Sequence, residues 1–416
     1  MSTRTFYVGI LIALFSQTFG AQELSLPEFV ATITQKLDNG QLAGSSSLAP
    51  RSSVSEDTSF QLEPHLAQTL GSLVGVTTLP DNRVALFHRG PVVWSPGFFD
   101  GAVFPMKHRK NGPIKMDTIV IIDATTGQYI TSFGGHTFYV PHGISADAHG
   151  NLWVTDVALH QVFRYPHQVI ASAKTVSNVN HSLTQLADVL VSNANAHVQP
   201  DLVLGEAFVP GNDDRHFCKP TDVAIAASGL AFIADGYCNQ RILIVTPNGQ
   251  MLDSFGTAER MLTPHSLSLL EKDDLVCVAD RDRSRILCYN AAMSGTDMSS
   301  EISSKRQLMF AIDYPLGRVF AIEHVGDHML VLSVNDDTKT AHGATVDLAN
   351  GRIVQDWSPK EWRSGKQKMP HDLAVTRATP GKQRSAFVVE ATAYNQMKNN
   401  WLANAEKNLF KYKIQT

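Results

Sequence analysis

Three Pro-His steps, Pro141-His142, Pro264-His265 and Pro370-His371, open three segments of similar pattern, and a fourth such segment opens at Pro220-Thr221. Each segment runs through an alternating strand, turns, and reaches a second strand ending in Asp or Glu. Histidines far apart in the chain thus share one position in a repeat, and neutral imidazole is a good ligand for divalent metals. Three imidazoles with an open fourth position is a pattern of catalytic zinc, whereas structural zinc sites are closed. The plainer alternative is a turn preference inherited with the repeat, each ring hydrogen-bonded in place. For one histidine that reading is the better one; for three in register a metal is. Arg89, Tyr237 and Arg281 form a second set, each at the end of a second strand. Guanidinium forks grip carboxylates bidentately, and a tyrosine held near a metal and arginines can act as a base. Singly, such arginines are more often surface ion-pair partners and such a tyrosine a packing residue, so only their convergence points to chemistry.

The elements that must bring these side chains together read as strands. Val, Ile and Phe alternate with polar residues in short runs bounded by Gly, Pro, Asp and Asn. Six units of about four strands predict an all-β, six-bladed β-propeller. The first unit covers residues 74–90 with TIVIID and QYITSFG as outer strands. The fifth reads from LMFAIDYPLGRVFAIEHV to GRIVQDWS, and the sixth from Met369 to NLFKYKI. Inner strands surround the axis, so histidines in blades two, four and six stand about 120° apart and can converge. Thr221 takes their slot in blade three, with Val76 and Ala311 near it in blades one and five. Because the first two strands of a blade are antiparallel, the second ends on the face where the first begins. Arg89, Tyr237 and Arg281 are therefore expected at the same mouth of the channel as the histidines.

The 416 residues carry 35 Lys and Arg against 39 Asp and Glu, a net charge of −4 with no basic block, which argues against a nucleic-acid partner. Residues 1–21 read as a secretory signal: Arg4, an apolar run from Val8 to Phe15 too short to span a bilayer, then Gly20 and Ala21. Residues 22–64 are Ser-rich and read as a flexible leader, leaving 65–416 for the propeller. No later segment has a membrane-spanning apolar length, so the mature chain is expected to be soluble, in the secretory lumen or outside the cell. Four cysteines suit that compartment. Three pairings are possible, and the repeat register favours Cys218–Cys238 and Cys277–Cys288. Residues 168–200 insert into the second blade and carry the glycosylation triplet Asn180-His181-Ser182; residues 391–407 extend the last.

With these residues in place, the sequence resembles the peptidyl-α-hydroxyglycine α-amidating lyases, six-bladed propellers of NHL-type repeats. The resemblance spans roughly residues 70–416. It rests on FHRG (87–90), VPHGIS (140–145), WVTDVALHQVF (153–163), FCKPTDVA (217–224), DGYCNQRI (235–242), TPHSLSL (263–269), CVADRDRSRI (277–286) and MPHDLAV (369–375). It implies cleavage of a peptide ending in α-hydroxyglycine to the amidated peptide and glyoxylate. His142, His265 and His371 would hold zinc, Tyr237 would take the substrate's hydroxyl proton, Arg89 and Arg281 would bind the carboxylate, and Met369 would line the pocket. The resemblance also implies a structural calcium held by Asp372 with the backbone carbonyls of Val76 and Ile144; an Asp capping a turn is the simpler alternative there. The substrate would come from a separate peptidylglycine monooxygenase, since no His-rich copper motif is present, and the lyase is expected to be a stand-alone monomer. DRDRSR stands where D-R-E-N-G-R is more usual. Two rivals remain: a catalytically silent peptide-binding propeller, and a calcium-dependent hydrolase or lactonase whose ligands would be mostly Asp, Glu and Asn.

Overall fold

The computed structural model describes residues 53–95, 97–171, 198–293, 306–364, 368–378, 383–391 and 408–415. Six separate four-stranded antiparallel sheets form the blades of a propeller. Blade one is Leu73–Thr78, Arg83–His88, Ile119–Asp123 and Tyr129–Phe133. Blades two, three and four begin at Pro141–Ala146, Asp222–Ile225 and Pro264–Leu270, and blade five at Arg318–Val325. Blade six comprises Pro370–Val375, Arg384–Glu390 and Leu409–Gln415. Its outer strand is Ser53–Glu56, paired from Ser53↔Gln415 to Glu56↔Tyr412, so the two ends of the described chain meet in one sheet and close the ring.

Strand periodicity explains why each blade needs both neighbours. In Leu275–Asp280 of blade four, Val276 and Val278 join an apolar cluster shared with blade three, while Cys277 and Ala279 join one shared with blade five. Successive side chains leave a strand on opposite faces, so every sheet buries both. Six such clusters, one at each blade junction, run around the ring. Each fully buried Val, Leu, Ile or Phe contributes roughly 1.5–3 kcal/mol, and the site sits on a frame that cannot shift one blade alone.

Two sequence expectations need correction. The expected leader, 22–64, overlaps the propeller, because Ser53–Glu56 lies inside blade six; a polar, Ser-rich outer strand looks like a leader when its partner is more than 300 residues away. Ala311 lies in Leu308–Asp313, the outer strand of blade four, so it does not stand near the axis of blade five. Phe320 takes that place in blade five, and in blade one it is Val74, two residues from Val76 in the same strand. The predicted signal, most of the insert with Asn180, and most of the 391–407 extension lie outside the described residues.

Candidate metal centre and the pocket above it

The histidines reach one point through a shared irregularity. Between the first two strands of blade four the register steps from Pro264↔Asp280 to Ser266↔Ala279, leaving His265 as the extra residue of a bulge. Blade six does the same around His371, stepping from Pro370↔Glu390 to Asp372↔Val389. In blade two the shift falls between Pro141 and Ile144 and frees His142. Bulges re-aim side chains at the ends of strands, and here they turn three imidazoles toward the axis.

The odd-numbered blades supply the partners. His142 Nδ1 lies 2.8 Å from the carbonyl oxygen of Thr221, His265 Nδ1 2.7 Å from that of Phe320, and His371 Nδ1 2.6 Å from that of Val74. Val74 and Phe320 are themselves the bulged residues of blades one and five. A carbonyl only accepts, so each Nδ1 carries the proton and each Nε2 presents its lone pair inward. Ring centroids stand 4.8–5.0 Å apart, and the candidate ligand nitrogens lie within 4.8 Å of one another. Burial holds all three rings neutral: it pushes His142 and His265 well below the ordinary histidine range, and burial with the nearby Arg89 charge pushes His371 down to about 3. His265 Nε2 is buried with no protein partner. Gly143 permits the approach, since a Cβ there would stand 2.3 Å from the Thr221 oxygen. Three neutral, pre-oriented imidazoles with an orphaned inward nitrogen fit a divalent metal.

Tyr237 stands beside the trio. It follows Gly236, whose missing Cβ would meet the Pro264 oxygen at 2.0 Å, and precedes Cys238, bonded to Cys218. Its Oη lies 3.0 Å from His142 Nε2 and accepts from Arg281 Nη1 at 3.2 Å. Asp282 occupies the rest of the Arg281 fork, accepting from Nε and Nη2 at 3.0 Å each, and Thr263 Oγ1 donates to it at 2.6 Å. Burial would raise the Asp282 carboxyl, but Arg281 outweighs it and holds the group down at about 2.

Arg89 is buried in blade one. Its Nε donates to the Pro141 carbonyl at 2.8 Å, while its Nη2 is buried without a partner. Burial draws its pKa down to about 10, and an anion beside Nη2 would restore the lost solvation. The preceding His88 fixes this stretch: its Nε2 donates to the Asp117 carbonyl at 2.8 Å and its Nδ1 accepts from Gly90 N–H at 3.1 Å. Arg89, Tyr237, Arg281, Met369 and His371 all line one cavity of about 430 Å³. The structure thus brings together every residue expected at this mouth.

Sequence reasoning missed the roof. Trp94, Phe98 and Phe99, from the connection between the second and third strands of blade one, line the same cavity, with Lys219, Arg318 and Phe320. Trp94 lies 5.1 Å from the Tyr237 ring and under the Arg89 guanidinium at 5.0 Å. The signal was the aromatic density of WSPGFFDGAVF directly after FHRG. The acids that end the second strands are structural: Asp156 accepts from Tyr139 and Val140 N–H at 2.7 and 2.8 Å, pinning the connection that leads into Pro141-His142.

At the other mouth, Val76, Ile144, Asp222, Glu323 and Asp372 line a second cavity of about 780 Å³. Asp372 Oδ2 accepts from Val76 N–H at 2.9 Å. Burial raises all three carboxyls, Glu323 to about 8, and their mutual repulsion raises Asp372 further. Such a set suits a hard cation such as calcium.

Both expected disulfides are formed, Cys218–Cys238 and Cys277–Cys288. Among the described residues, no helix is long and apolar enough to cross a membrane.

No family model matches the sequence. Among curated proteins, it is 33% identical over 334 residues to "Peptidyl-alpha-hydroxyglycine alpha-amidating lyase 2" of Drosophila melanogaster, covering 79% of this chain and 71% of that one. It is 30% identical over 324 residues to lyase 1 of the same organism, covering 74% and 53%. It is 34% identical over 319 residues to "Peptidylglycine alpha-amidating monooxygenase" of Rattus norvegicus, covering 74% of this chain but only 28% of that protein. Among solved structures, a streptogramin B lyase aligns over 87% of this chain and 97% of its own at 11% identity and a TM-score of 0.47, which carries no weight for the chemistry.

Proposed function

Because the chain belongs to the peptidyl-α-hydroxyglycine α-amidating lyases, we propose that His142, His265 and His371 hold a catalytic zinc and that Tyr237 and Arg89 do the remaining work of the reaction. The overall reaction cleaves the carbon–nitrogen bond of a C-terminal α-hydroxyglycine, giving the α-amidated peptide and glyoxylate. The hydroxyl proton leaves oxygen, the carbon–nitrogen bond breaks as the aldehyde forms, and one proton is added to the departing amide nitrogen. Zinc, when bound, supplies Lewis-acid stabilisation of negative charge on oxygen.

The chain's own residues do the rest. Arg89 takes the substrate carboxylate on its unpartnered Nη2, which fixes the reacting carbon against the histidines. Tyr237 Oη, as the phenolate, takes the hydroxyl proton and, as the phenol, hands it to the departing nitrogen. Arg281 Nη1 donates to that oxygen and stabilises the phenolate that accepts the proton. This modifies the sequence expectation for Arg281: with Nε and Nη2 held by Asp282, only one edge is free, and it faces Tyr237, leaving carboxylate binding chiefly to Arg89. Met369 lines the pocket. The orphaned, inward His265 Nε2 in a ring of three neutral imidazoles is the observation that carries the zinc assignment.

A structural calcium at Asp372, Val76 and Ile144 belongs to the same proposal, supported by the half-buried carboxylates at that mouth. So does a secretory or extracellular location, supported by two disulfides, and supply of substrate by a peptidylglycine monooxygenase. Metal analysis of the purified protein tests the zinc reading: about one zinc per chain is expected, lost in His265→Ala. A zinc-free wild type that still releases glyoxylate overturns it.

A further inference from the structure

We propose that Phe99 and Trp94 form the subsite for the side chain of the residue preceding the α-hydroxyglycine, and that the subsite selects apolar side chains and rejects basic ones. The inference rests on the lyase reading and deepens it. The reacting carbon bears a carboxylate, a hydroxyl and the amide nitrogen. With the carboxylate on Arg89 and the hydroxyl at Tyr237, the acyl residue must leave along the remaining wall of the cavity. Two aromatic surfaces line that cavity. Phe320 is only 2% exposed and offers little free face. Trp94 and Phe99 are half-buried, pack on each other at 5.1 Å, and keep open surface inside the cavity.

Lys219 holds this wall in place. Its Nζ donates to the Gly101 carbonyl at 2.6 Å and lies 4.1 Å from the centroid of the Phe99 ring. Among the described residues, the cavity is also lined by Arg89, Arg281 and Arg318 but by no carboxylate. Arg281 and Arg318 are paired with Asp282 and Asp336, and Arg89 takes the substrate carboxylate, so Lys219 is the cation that repels a basic side chain at this wall, while the aromatic faces reward an apolar one.

The test compares glyoxylate release from acetyl-Phe-, acetyl-Ala- and acetyl-Lys-α-hydroxyglycine by the zinc-loaded wild type, Phe99→Ala and Phe99→Leu. Wild type should favour Phe over Ala by roughly ten- to a hundred-fold in kcat/KM, the discrimination an apolar pocket supplies, with Lys the poorest. Phe99→Ala should bring Phe and Ala within about threefold of each other. Phe99→Leu, which preserves apolar packing, should fall between. Equal wild-type rates on Phe and Ala, a Lys substrate as good as Phe, or an unchanged ratio in both variants overturns the subsite alone. No release from any of the three peptides by the wild type overturns the lyase reading, and the subsite with it.

Discussion

Arg89→Lys isolates what the guanidinium fork contributes. The variant keeps the charge but cannot donate to the Pro141 carbonyl and to a substrate carboxylate at once, as Nε and Nη2 of the arginine are placed to do. A hydrogen bond to a charged group is worth about 1.5–3 kcal/mol, and each 1.4 kcal/mol is about tenfold in rate. The loss in kcat/KM should therefore be roughly ten- to a hundred-fold on α-hydroxyhippurate. Arg89→Ala leaves a buried carboxylate unpaired and should cost about 3–5 kcal/mol, on the order of 10²–10⁴ in rate. The assay is benzamide formation, run in parallel on the methyl ester of the same substrate, which lacks the charge. Wild type should lose activity on the ester, and Arg89→Lys should lose little more, because the interaction is already gone. Equal fold-losses on acid and ester, or wild-type kcat/KM for Arg89→Lys on the acid, would refute carboxylate recognition by Arg89.

Three further outcomes follow from the same geometry. Tyr237→Phe should lower kcat by about 10²–10⁴ through loss of proton transfer while zinc content stays at the wild-type level; a variant within a few-fold of wild type excludes the phenol as the base. Removing the Cys218–Cys238 bridge with serines should lower unfolding free energy by about 2–4 kcal/mol, read by denaturant titration, and should cut activity even in conditions where the protein is folded, because Tyr237 adjoins the bridge. His88 should confer acid lability: burial pushes its pKa down from 6.5 to about 4. Below pH 6.5 the unfolded chain takes up a proton that the folded one refuses, so stability falls as pH drops through that window, by about 3 kcal/mol at pH 4. Denaturation of wild type and His88→Gln at pH 7 and pH 4 should show a drop larger in wild type by that amount, and parallel drops would contradict the assignment.

The repeat made much of this legible. Strand alternation and the Pro-His register led to a six-bladed propeller, and antiparallel pairing within a blade put Arg89, Tyr237 and Arg281 on the side of the histidines. Two things were hidden. The bulges at His265 and His371, and the matching ones at Val74 and Phe320, are departures of one residue in register. They depend on the partner strand, so no local pattern signals them, and Val74 and Phe320 went unnoticed as the carbonyl partners of the trio. Closure of blade six by Ser53–Glu56 was hidden for a related reason. An outer strand with only one buried position, Val54, lacks the apolar alternation by which strands are recognised. The aromatic roof was visible as composition, but its place over the site required the chain to fold.

The most direct test of the account is glyoxylate release from α-hydroxyhippurate by the purified protein before chelation, after it, and after adding back zinc. Turnover should disappear with the metal and return with it, and should stay absent in His265→Ala however much zinc is supplied. Undiminished turnover in the chelated, zinc-free protein would contradict the zinc centre, and absence of turnover from folded, zinc-loaded protein would contradict the lyase chemistry itself.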